Sequence, residues 1–302
     1  MSGGALRRAD DLGKHLVPLA TPLGDEEIAE LPSERTRIQN RVVGPSFRHV
    51  RHCAGTHVHV EQCPGREVDQ LNTLVALDPA LALLNSSPYH RRERLADGAR
   101  SRLYRRLAYE GIPHQGRLWR YVDDRREWDR RLERRYEAFM TMALEAGVDR
   151  LTVESNFSPE SAVWTPVQLR EAFGTVEWRS PDAALPSQVV RLTDHLAEVT
   201  AHIEDRTVRR GERGRVTDDE VVLLSFDAVL DHVESAIEEG VGSPSLRAYL
   251  DRMGFDVEAY EPVSPSLDRG RRLSARAVRE VRLDHAARLE ADVSPRRSVA
   301  DE

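Results

Sequence analysis

The sequence predicts a mixed α+β fold, from two short strands and one long helix. The first strand is "CAGTHVHVEQ", residues 53–62, a run of small and β-branched residues. A strand repeats every two residues, so His57, His59 and Glu61 share one face, with alternate residues roughly 6–7 Å apart. The second strand lies in "GTVEWRSPDAALPS", where Thr175, Glu177 and Arg179 alternate and Asp182 falls in the following turn. Between them, residues 125–146 place Trp128, Leu132, Tyr136, Met140 and Leu144 four apart, with Gly147 as a C-cap. That pattern predicts a helix with a charged, solvated outer face.

Residues 1–24 read as a short helix followed by the extended "HLVPLATPLGD", and residues 25–50 as an acidic helical start running into "SERTRIQNRVVGPSFRHVR". After the first strand, "CPG" is a stop. From Arg66, the apolar residues Val68, Leu71, Leu74 and Val75 fall at helical spacing, which Pro79 interrupts. The apolar run "LALL" ends abruptly at Asn85-Ser86-Ser87-Pro88. A strand is predicted near Arg150 in "RLTVES", and "AVWTPVQLREAF" leads into the Glu177 strand, with Trp164 read as core. Further helices are predicted over 187–206 and 218–239. Residues 263–272, "VSPSLDRGRR", read as a mobile linker, and the last nine residues as a disordered tail. The chain thus divides into a main domain, 1–262, and a region of linker, short helix and tail, 263–302. No internal repeat is visible.

A length of 302 residues, 40% hydrophobic and 31% charged, suits a globular chain with a substantial core. No stretch approaches the roughly 18 consecutive apolar residues of a membrane span, and the N-terminus lacks the apolar core of a signal peptide. Cys53 and Cys63 give no disulfide framework, so a reducing cytoplasm is the expected location. Lys14 is the only lysine, which leaves 43 of the 44 basic residues as arginine. A net charge of −7 argues against nucleic acid as a partner.

The histidines raise the question of a metal. Cys53, His57, His59 and Cys63 are symmetrically spaced, but ten extended residues separate the two sulfurs by about 33 Å. Zinc needs its ligands within about 2.0–2.3 Å, so a straight strand cannot deliver both thiolates. His-x-His also opens the metal site of many barrel hydrolases. Here His195, His202, His232 and His285 fall in segments that read as helical, and the one lysine precedes the motif. Taken alone, Glu177 and Arg179 read as an ion pair. Beside a His-x-His strand they suggest more: a carboxylate holds a hard divalent cation, and a guanidinium clamps a phosphate or carboxylate. Metal, acid and arginine together are the groups phosphoryl transfer uses.

Four segments, "AGTHVHV", "ALLNSSPY", "SRLYRRLAYEGIPHQG" and "AFGTVEWRSPDA", resemble the glutamate–cysteine ligases of the bacterial and archaeal type, the carboxylate–amine ligase family. They occur in family order over roughly residues 45–190. Two of them also resemble the Gly-x-x-His-x-His and Glu-x-Arg-x-x-Asp patterns of the more distant glutamine synthetases. The resemblance implies an antiparallel sheet forming a funnel-shaped site, with helices packed outside. It implies ATP and Mg2+ as cofactors and a γ-glutamyl phosphate that the cysteine amine, or another small amine, converts to an amide. Carried over by motif, His57 and Glu177 would be metal ligands and Arg179 would hold the transferred phosphoryl group. His59, Asn85, Ser87 and Arg102 would lie near the substrates. Read without the family, Asn85 is a loop cap, Ser87 a turn residue and Arg102 a surface arginine.

One departure stands out. Family members open with a Gly-x-Glu-x-Glu-Phe-like strand whose glutamates complete the metal cluster, and nothing before residue 45 matches it. Glu26 and Glu27 lie in "GDEEIAEL", a helix-start pattern. The sequence therefore predicts weak magnesium–ATP binding and an exposed sheet edge. It leaves open a catalytically incomplete paralogue that binds a ligand or regulates, and it identifies neither the amine acceptor nor the oligomeric state.

Overall fold

The computed structural model describes residues 2–294, apart from 113 and 202. The first third contains α1 (Ser2–Asp11), α2 (Glu34–Val43), α3 (Arg48–Arg51), β1 (Val58–Glu61), α4 (Glu67–Leu77), β2 (Tyr89–His90), β3 (Glu93–Arg94) and α5 (Ala99–Arg102). The middle contains α6 (Arg125–Glu145), α7 (Arg150–Asn156), α8 (Pro159–Ala162), β4 (Val167–Arg170), β5 (Thr175–Trp178) and α9 (Pro186–Ala201). The rest contains β6 (Thr207–Arg210), β7 (Arg215–Val216), β8 (Glu220–Leu223), α10 (Phe226–Glu238), α11 (Pro244–Arg252) and α12 (Ala275–Val293). The class is mixed α+β, as the sequence predicts, but strand is divided among three small sheets.

The central sheet has the order β1-β5-β4 and is antiparallel throughout. Its alternation separates two faces. Val58, Val167, Leu169, Val176 and Trp178 are buried in the main core, under α4, whose residues from Gln70 to Leu77 are all buried. His59, Glu177 and Gln168 form one cross-strand row on the other face, and Glu61, Thr175 and Arg170 form the next. In the second sheet β8 pairs parallel with β6 and antiparallel with β7.

The third sheet is the hairpin β2–β3. Its turn residues Arg91 and Arg92 have φ of 49° and 70°. A two-residue turn with both φ positive favours Asn-Gly, and a left-handed non-glycine residue costs about 1–2 kcal/mol. The neighbouring chain holds the turn in place: Arg91 and Arg92 N–H donate to the carbonyls of Pro22 and Leu23, and Leu273 N–H donates to that of Arg92. Ion pairs continue the seam, with Asp25 3.2 Å from Arg92 and 3.5 Å from Arg272, and Glu26 2.8 Å from Arg282.

Several expectations need correction. "RLTVES" is helix α7, not strand: after Gly147 at φ 76° the Asp149 carboxylate caps the Thr152 N–H at 3.0 Å, and this cap outweighs the β-branched composition. The helix predicted from 218 begins instead as β8, and Ser225 caps α10 behind it. The helix predicted to 206 ends at Ala201. Residues 25–31 are not helical; α2 starts after its cap, Ser33. Residues 263–272 are packed rather than loose. Val263, Leu267 and Leu273 share a core cluster with Tyr89, Val278 and Val281, and the helix that follows has 19 residues. From residue 295 the tail, like His202, lies outside the described residues.

Candidate functional site

His57 lies one residue before β1, yet the alternation reaches it. Thr56 N–H donates to the Pro181 carbonyl at 2.9 Å, and Gly55 bridges Asp182, so the chain stays extended. His57 and His59 consequently both reach Glu177. His57 Nδ1 lies 2.9 Å from Glu177 Oε1, and His59 Nε2 lies 3.4 Å from it. On the far side, Gln168 Nε2 donates to Oε2 at 2.8 Å. Arg179 Nε stands 3.6 Å from Oε1, and Arg170 Nε 3.7 Å from Oε2. The sequence-predicted pair, His57 and Glu177, thus meets on one polar face, with His59 and Arg179 beside it.

The Glu177 side chain is only 5% exposed. Burial pushes its carboxyl pKa up, but the His57 hydrogen bond, the Arg179 charge and the Gln168 amide more than offset this and hold it at about 2. Glu177 is therefore ionised near neutrality. His57, His59 and Glu177 each offer a ligand atom within 4.8 Å of the others. Two imidazoles and one carboxylate fit a divalent cation, and they suit manganese or zinc better than magnesium, which prefers oxygen. The His59 ring is fixed by Thr175 Oγ1, 2.9 Å from Nδ1, leaving Nε2 towards Glu177.

Arg179 differs from its neighbours. Its side chain is 18% exposed, and no hydrogen bond among the described residues uses its guanidinium. Nε is buried and unbonded, as are Arg170 Nε and Gln168 Oε1. Leaving a buried donor unmade costs about 1–3 kcal/mol, more when charged. The guanidinium lies over the Trp164 ring at 5.6 Å, and Trp164 stacks on Tyr104 at 4.6 Å. Trp164 thus packs, as the sequence suggests, and also floors the arginine.

The other predicted substrate residues are engaged elsewhere. Asn85 Nδ2 donates to Asp97 Oδ2 and to the Ala236 carbonyl. Ser87 Oγ donates to the Tyr89 carbonyl, and Arg102 pairs with Glu238 on α10. None of these bonds reaches Glu177. The neighbouring residues do instead support the strand end. Ser86 donates its N–H and hydroxyl to Asp182, and Arg100 donates to the carbonyls of Arg179, Ser180 and Pro181. A Cβ on Gly55 would meet Arg100 Nη2 at 2.1 Å, so a larger residue there would displace the Arg100 guanidinium from these carbonyls.

Cys53 and Cys63 are free thiols, and neither belongs to a metal-ligating group among the described residues. Burial pushes Cys53 up to about 12, so it stays protonated. No described helix is long and apolar enough to cross a membrane. No protein-family model and no curated protein matches the chain.

Proposed function

We propose that the chain is an ATP-dependent carboxylate–amine ligase that joins the glutamate γ-carboxylate to the cysteine amine through a γ-glutamyl phosphate. The observation that carries the reading is a single face holding both kinds of group: the His57–His59–Glu177 cluster and, 3.6 Å from Glu177, the unbonded guanidinium of Arg179. A divalent cation at the cluster would neutralise ATP phosphate charge. Arg179, already desolvated and aimed without an acceptor, would bind the transferred phosphoryl group with little reorganisation. Glu177 orients His57 and His59 through its Oε1, and Thr175 fixes the His59 ring. The fold that accompanies this reading gathers its substrates in a funnel over the antiparallel sheet. Two free thiols are compatible with a reducing cytoplasm as its location.

The second reading is a catalytically incomplete relative that binds the substrates without joining them. It is favoured by the commitment of Asn85, Ser87 and Arg102 to bonds within the protein. Release of ADP that requires glutamate, an amine and either Mg2+ or Mn2+, with the amide identified by mass spectrometry, supports the ligase. Binding without ADP release supports the second reading, and absence of both removes the two together.

A further inference from the structure

Arg179 also lines a small, recessed pocket of about 100 Å³. Its walls include Arg35, Gln39, Tyr109, Gln115, Trp164 and Arg179, and no acidic residue lines it. Arg35 is anchored from the side: it lies over Phe157 at 4.1 Å and donates to the carbonyls of Asn156 and Ser161. Gln115 is held at both ends of its amide, donating to the Ala162 carbonyl and accepting from the Trp164 backbone N–H. The Gln39 amide and the Tyr109 hydroxyl, like the Arg179 guanidinium, take part in no hydrogen bond among the described residues. The pocket is therefore small and holds unused donors, with two arginines and no carboxylate in its wall; Glu177, 3.6 Å from Arg179 Nε, lies outside it and leaves Arg35 without an acid partner there. Burial, and then the charges of Arg179 and Arg170, disfavour the charge on Arg35, a repulsion that an anion between the arginines relieves.

We propose that this cavity is a metal-independent subsite for one small oxyanion, the carboxylate head of an amino acid or orthophosphate, held between Arg35 and Arg179 and selected by Gln39 and Tyr109. A water's share of liquid volume is about 30 Å³, so the space admits one such group and little else. A planar guanidinium pair suits the forked geometry of either anion. The subsite shares Arg179 with the ligase reading but requires neither a cation nor turnover.

The test is calorimetric titration of the full chain in EDTA with sodium glutamate, sodium phosphate and, as a charge control, sodium chloride. Saturable binding of glutamate or phosphate, and not of chloride, is expected, and the anion that binds identifies the source. The Gln39→Leu/Tyr109→Phe double variant should weaken that binding roughly tenfold or more. His57→Ala should leave it unchanged while removing Mn2+ binding, which separates this subsite from the cation cluster. Circular dichroism and thermal unfolding verify that each variant is folded, and Gln39→Leu alone, which preserves the Tyr109 packing, provides a second measurement. Absence of binding by both anions, or binding unaltered in folded Gln39 and Tyr109 variants, overturns the proposal.

Discussion

Glu177 and Asp78 are buried acids served from opposite faces of one strand, and they end in opposite conditions. Trp178 and Ser180 point into the core, where Trp178 Nε1 donates to Asp78 Oδ1 at 2.8 Å and Ser180 Oγ donates to the same oxygen. Arg105 Nη2 donates to Asp78 Oδ2 at 2.8 Å and to Ser180 Oγ at 2.9 Å. Asp78 is completely buried, and each of its oxygens has a donor. Glu177 and Arg179 point the other way, into a cluster that leaves charged donors unused. The first arrangement is what a fold needs from a buried ion pair. The second leaves buried charged donors without acceptors.

This contrast ranks four expected effects on stability. Asp78→Ala should be the most damaging, at about 3–5 kcal/mol in urea unfolding, because it strands Arg105 in the core. Next is Asp182, whose burial, against the charge of Arg100 and the two Ser86 hydrogen bonds, raises its pKa to about 6. A carboxyl raised in the folded state contributes stability that is complete below its unfolded value, roughly 4, and is lost as pH rises through 6. Relative to the non-titrating Asp182→Asn variant, the parent should lose about 2–3 kcal/mol between pH 4 and pH 8. Parallel pH profiles would mean that Asp182 is ionised throughout.

Glu177→Gln keeps the shape but removes a carboxylate whose pKa is held at about 2, so it should cost about 2–3 kcal/mol of stability near neutrality, while Mn2+ affinity falls by at least about tenfold. A stability loss equal to that of Asp78→Ala would make the polar face a second structural ion pair and break the contrast. Smallest is Arg91→Gly, which relieves a left-handed residue and should stabilise by about 0.5–1 kcal/mol. Destabilisation of that size instead would assign the Arg91 side chain a function of its own.

The candidate site was legible where one rule governs both sequence and structure. Period-two alternation places His57, His59, Glu177 and Arg179 on one face, and the extended chain from Gly55 carries it beyond the strand proper. Composition misled where a single cap decides: Asp149 makes a helix of "RLTVES", and Ser225 separates β8 from α10. Asn85, Ser87 and Arg102 matched a motif by type, but their hydrogen bonds depend on partners as distant as Ala236 and Glu238, which no local pattern reveals. Arg35 and Gln39 escaped notice because a helical arginine and glutamine read as surface until the cavity behind Trp164 is seen. The Pro- and Ser-rich segment 263–272 has a linker's composition; Leu267 and Leu273 are buried only because Tyr89 waits there.

The seam around the Arg91–Arg92 turn also orders events on the ribosome. The hairpin rests on residues 22–25 on one side and 271–273 on the other, and the Asp25–Arg272 pair spans 247 residues of sequence. A nascent chain elongating at about 5–20 residues per second leaves the hairpin without its second support for tens of seconds. Throughout that interval the Pro22 and Leu23 carbonyls are already present, but Arg92 lacks its bond from Leu273 N–H and Asp25 lacks Arg272. The hairpin and the cluster around Tyr89 should therefore form after translation of residue 273, as a slow, high-contact-order step that follows assembly of the central sheet.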